Sequence, residues 1–167
     1  MAMFENTIPV IIHSLSNLQN ILAKAEQYAD QKQFSGEVLV NARLFPDMLP
    51  LAKQVQIAAD TAKGCAGRLS DTAIPSFADN ETTLSALRER LEKTIAYLQT
   101  MKPEQINGSE ARAIELKFPK STLKFTGIDY VNYFVLPNLY FHVTTAYAIL
   151  RHNGVELGKV DYLGETK

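Results

Sequence analysis

The stretch from Phe134 to Gly154, FVLPNLYFHVTTAYAILRHNG, is the most apolar long run in the chain. On a helix of about 3.6 residues per turn, Val135, Asn138, His142, Thr145, Ala146 and Ile149 share one side. Leu136, Tyr140, Val143 and Tyr147 form a second apolar line. A helix apolar on two sides is surrounded by its own bundle or shared with a partner subunit, so this run is predicted to be the innermost helix. Pro137 predicts a kink or break near Leu136, because it removes a backbone donor and clashes with the preceding turn. Asn153-Gly154 supplies a left-handed stop.

Three further helices precede it. From Thr7 to about Gln31, the residues Ile8, Ile11, Ile12, Leu15, Leu18, Leu22 and Ala25 recur at helical steps. Thr7 or Asn6 is the expected cap, and His13 falls opposite the stripe. Val10, Ser14, Asn17 and Ile21 make a weaker second face, which suits contact with another subunit. After a connection with a short helix following Ser35, a second long helix is expected from about Met48 to Leu69, with Asp47 as its cap. It is rich in alanine, and Cys65 reads there as a small buried hydrophobe. Pro75 marks a loop at 70–79. A third helix, capped by Asn80, spans about Glu81 to Met101, with Arg88, Arg90, Glu92 and Lys93 on an outer, solvated face. Between 111 and 126 the period changes to two, around Pro119-Lys120, which predicts a short β-hairpin resting on the helices. Thr126 to Asp129 then forms a capping box for the last helix. The residues 155–167 read as an irregular arm with docking positions at Val155, Leu157, Tyr162 and Leu163.

The expected architecture is therefore all-α: one domain over 1–167, an antiparallel four-helix bundle with the hairpin inserted before its last helix. A net charge of −1 and a pI near 6.3 give no electrostatic footprint for nucleic acid or an anionic membrane. A single cysteine makes no internal bridge, no charged leader precedes the first helix, and no apolar run spans a bilayer. The expected setting is cytoplasmic.

The chemistry concentrates in the polar row of the last helix. Asn138, His142 and Thr145 project from an otherwise apolar side, either as a polar pocket or as a buried histidine satisfied by its neighbours. Asparagine is a poor ligand for zinc, nickel or iron, so the pair leaves a metal site incomplete. His152 belongs to the last helical turn, where a cation complements the helix dipole.

The blocks NARLFPDMLPLAKQVQIAADTAKGCAGRL and LPNLYFHVTTAYAILRHNGVELGKVDYLG resemble an uncharacterised bacterial family of unknown function within the DinB/YfiT-like superfamily. That resemblance implies an antiparallel four-helix bundle, often a homodimer, in a superfamily described as metalloenzymes. It implies a three-histidine site, with one ligand on the second long helix and two on the last. The corresponding positions here are Gln54, Asn138 and His142, so one histidine of the three is kept. Characterised relatives include metal-dependent thiol transferases and isomerases, whose activities do not carry over without those ligands. No cofactor is expected; a divalent metal, zinc or nickel, is the one the resemblance would bring, with His142 as its ligand.

Two functions follow as expectations. The first is a dimeric, metal-free binding or interaction module with a degenerate metal site, able to take a small-molecule ligand. The second is an enzyme of metal-dependent hydrolase or transferase type, using His142 as a general base or as the sole imidazole ligand, with Gln54, Asn138 and either Asp47 or a tyrosine assisting and Thr145 in the same pocket. Nucleic-acid binding ranks last.

Overall fold

The computed structural model describes residues 2–165. Met1, and Thr166 and Lys167 at the end of the predicted arm, lie outside the described residues. The chain is mostly helical, with one two-stranded antiparallel hairpin. Four long helices carry the core: α1 (Ile8–Lys32), α3 (Leu51–Ser70), α4 (Leu84–Gln99) and α7 (Leu136–His152). α1 packs on α4 and α7, and α3 packs on the same two. The stripe predicted for α1 is buried, apart from Ile12, which packs at the edge of the core.

Short elements fill the joints: α2 (Glu37–Val40), α5 (Pro103–Ile106), α6 (Gly127–Tyr130) and α8 (Lys159–Leu163). The hairpin joins β1 (Ala113–Phe118) to β2 (Ser121–Thr126), with Ile114 opposite Phe125 and Leu116 opposite Leu123. Ile114 and Leu116 are its buried residues. The last helix is not broken near Leu136: α6, a π-helical segment Val131–Val135 and α7 follow one another in helical geometry, with Pro137 in the first turn of α7 and the irregularity taken up by the π segment just before it. Thr126 accepts from the Asp129 amide, the predicted cap. The stop at Gly154 is held twice, by a φ of 93° and by the Tyr28 hydroxyl packed where a side chain would stand.

Several expectations are corrected. Asp47 does not cap α3: it is exposed in the preceding turn, and the helix begins three residues later than predicted. Pro50 explains the delay, since it drives Leu49 away from helical geometry and itself takes the cap position. Thr83, not Asn80, caps α4, accepting from the Ala86 amide. The arm is not irregular throughout, because 159–163 form α8. It folds against α1, where Asn17 donates to the Tyr162 carbonyl and His13 Nε2 to that of Leu163. The second face of α1 is thus met by the chain's own arm. No helix among the described residues is long and apolar enough to cross a membrane.

Candidate functional site

α3 and α7 run in opposite directions, so successive turns of one meet successive turns of the other. Gln54 meets His142, Thr61 meets Asn138, and Arg68 reaches Tyr130 at the start of the last helical region. His142 Nδ1 lies 2.7 Å from Gln54 Oε1. Gln54 Nε2 donates to the Leu49 carbonyl at 3.0 Å, which fixes the amide: turned over, it would set oxygen against oxygen. Gln54 Oε1 can only accept, so His142 Nδ1 carries the proton and donates. Burial holds the ring below its ordinary pKa of 6.5, favouring the neutral form. The lone pair of that neutral ring is therefore on Nε2. Nε2 has no protein partner among the described residues, and it is not sealed from solvent.

His142 is 7% exposed and sits beneath Phe141, whose ring meets it edge-on at 5.1 Å and is itself 57% exposed. Asn138 Nδ2 donates to Thr61 Oγ1 at 2.8 Å rather than to the histidine. Thr145 is not part of the group either. Its hydroxyl donates to the Phe141 carbonyl one turn back, the usual escape for a threonine within a helix. Asp47 makes no hydrogen bond with these residues. Of the five candidates, Gln54 and His142 are brought together, with Asn138 one turn away. The Leu49 carbonyl and Thr61 went unread from sequence: a backbone acceptor carries no sequence signal, and Thr61 shows only as a polar residue on the buried side of α3.

A divalent metal does not suit this donor set. The Gln54 oxygen is taken up by the imidazole N–H, and Asn138 is turned to Thr61. Among the described residues, no three or more His, Cys, Asp or Glu side chains group closely enough to share an ion. Cys65 offers no thiolate, because burial pushes its thiol up to about 12.

A second polar group lies on the other side of α3, and it gathers around Arg90, a residue that helical period places on a solvated face. Arg90 of α4 is buried, its side chain 1% exposed. It donates to Glu81 at 2.8 Å, Asp79 at 2.9 Å, Asp60 at 3.0 Å and the Ala78 carbonyl at 3.1 Å. Lys63 joins Asp60 at 2.9 Å and the Pro75 carbonyl at 3.0 Å. Gln56 donates to Glu81 at 2.8 Å. Burial pushes the Glu81 carboxyl up, but hydrogen bonds from Arg90 and Gln56 outweigh it and hold the group below its ordinary value. The Lys53 hydrogen bond does most to lower Asp79.

These features define a DinB-like protein. The fold matches the crystal structure of a DinB family member protein from Shewanella denitrificans with a TM-score of 0.88 and 41% identity, over 98% of this chain and 92% of that one. The chain belongs to the family described as Domain of unknown function (DUF1993), whose model matches residues 3–163. No curated protein matches the sequence.

Proposed function

We propose that this DUF1993 member is a metal-free binding module whose metal site is degenerate, and that His142 Nε2 is its recognition atom. One observation carries the reading. The clamped Gln54 amide commits Nδ1 as a donor, which leaves an unpartnered acceptor on a neutral ring. Such an atom suits a ligand or partner presenting an N–H or O–H. The four long helices are read as an antiparallel bundle making up one domain, supported by the opposed α3 and α7 and by the packing of α1 and α3 on the same two neighbours.

The partner is read as a second copy. From Tyr130 to Leu150 there is no charged residue, although Tyr133 is 75% exposed and Tyr140 and Phe141 also face outward. Phe45 and Leu49 are likewise exposed, in the turn before α3. An uncharged face meets its own copy without like-charge repulsion. The free, buried cysteine supports a cytoplasmic setting, and the resemblance supports a bacterial one. The enzyme reading, with His142 as general base, draws on the same lone pair. The binding reading is preferred because the same lone pair stands without a second acid–base group beside it.

The test combines sedimentation at micromolar concentration with long-range proton–nitrogen spectra of His142. A dimer that Phe141→Asp dissociates, together with an Nδ1-protonated neutral ring, is expected. A monomer whose ring is protonated at Nε2 would overturn the reading.

A further inference from the structure

The segment 71–83 between α3 and α4 is mostly exposed and has no regular structure, yet it is tied down at several points. Its tethers are ionic and polar. Lys53, Lys63 and Arg90 reach it from the helices, holding Asp79, Glu81 and the carbonyls of Pro75 and Ala78. Its aromatic anchor, Phe77, lies under cations, with Lys63 Nζ 3.9 Å and the Arg90 guanidinium 5.8 Å from the ring centre.

With the loop in place, the three cations face three carboxylates, Asp60, Asp79 and Glu81. Asp60 belongs to α3, but Asp79 and Glu81 belong to the loop. With the loop lifted, the helices keep three cations and one carboxylate, a surplus of two positive charges. The fit of the loop is also incomplete. Arg90 Nε and Gln56 Oε1 are both buried without a partner, although their other polar atoms are engaged. A guanidinium presents donors along two edges, and the carboxylates take up only Nη1 and Nη2. A cleft of about 400 Å³, whose lining includes Phe77, Asn80, Glu81, Glu89, Arg90 and Lys93, already opens beside the guanidinium, and there Glu89 and Lys93 offset one another in charge.

We propose that segment 71–83 is an internal occupant of an oxyanion-binding groove on α3 and α4, displaced there by a dianion of phosphate type. Asp79 and Glu81 imitate the charge of that ligand, and a tetrahedral oxyanion adds the acceptor that Arg90 Nε lacks. The groove lies on the opposite side of α3 from His142, so its use is independent of the reading above.

Inorganic pyrophosphate is the probe, measured by calorimetry at low salt on the full chain. Asp79→Asn/Glu81→Gln removes the competing charges and keeps the side-chain shapes. It should bind pyrophosphate at least about tenfold more tightly than wild type, because the open groove is then more populated. Adding Lys63→Gln should cancel the gain. A folded double variant that binds no more tightly than wild type would overturn the proposal. Wild type gives a second measurement that needs no variant. Pyrophosphate should speed chymotrypsin cleavage after Phe77, compared with chloride at equal ionic strength. Cleavage that is unchanged or slowed would show that no displacement occurs, and the segment would be a structural tie alone.

Discussion

On one side of α3, Gln54 and Thr61 meet His142 and Asn138 through two neutral hydrogen bonds. On the other, Asp60 and Lys63 meet Arg90, Asp79 and Glu81 through ions. Both groups are recessed in the protein, but they reach that state differently. A neutral hydrogen bond costs little to bury and contributes about 1 kcal/mol net. A buried ion costs several kcal/mol in lost hydration, and only dense pairing offsets it. The ionic group therefore surrounds its buried cation, Arg90, with carboxylates, although Asp60 and Asp79 stay half exposed and Arg90 Nε is left without a partner. The neutral group keeps one acceptor, His142 Nε2, without a protein partner among the described residues. The difference teaches where recognition can occur without rearrangement: at His142 directly, but at Arg90 only after something gives way.

The largest blow to this contrast should come from Arg90→Met. It leaves Glu81 and its neighbours without their cation and should cost about 3 kcal/mol in denaturant unfolding. On the neutral side, Gln54→Leu strands one imidazole N–H, and a loss of about 1–2 kcal/mol is expected. The same variant frees the tautomer, so His142 nitrogen spectra should change where those of Arg90→Met do not. Gly67→Ala pushes a methyl group against Ile74 and the Thr72 carbonyl. Its cost should be about 1 kcal/mol, and proteolysis at 71–83 should rise while the His142 resonances stay fixed. Thr61→Val removes the Asn138 hydrogen bond and should cost about 1 kcal/mol or less.

Acid separates the two groups by pH. His142 has a pKa below its unfolded value of 6.5, so its stabilisation is complete above that value and is lost as pH falls below it. Asp79 and Glu81 are also depressed, from 3.8 and 4.5, so their contribution persists until pH drops below those values. A stability profile from pH 8 to pH 2 should show two declines, with His142→Phe abolishing the upper one. A single decline below pH 4.5 in wild type would break the distinction.

The two groups differ as much in how readily sequence reveals them. The long helices and the hairpin follow from period, and the irregularity before Pro137 from proline, both of which act within one element. The pairing of Gln54 with His142, 2.7 Å apart, has no signal within either helix, because period does not say which turn of one helix meets which turn of another. Arg90 was read as solvated because helical period describes a residue's place on its own helix. Its burial comes from a loop folding back over it. Asp47 and Asn80 looked like caps because both residue types suit that role. At the first, Pro50 moved the helix start; at the second, Thr83 stood closer to the first turn.

The π-helical segment at Val131–Val135 sets a rotational phase. Twelve residues separate Tyr130 from His142, and on an uninterrupted α-helix that spacing turns them about 120° apart. One extra residue taken up in the wider turn leaves about eleven to count, which brings them within about 20° of one another. Tyr130 and His142 thus both face α3, one at Arg68 and the other at Gln54. Removing a single residue from 131–135 would straighten the helix and keep both in line. Closing the wide turn without a deletion would swing one of them away, so the chain has traded a regular helix for a shared heading.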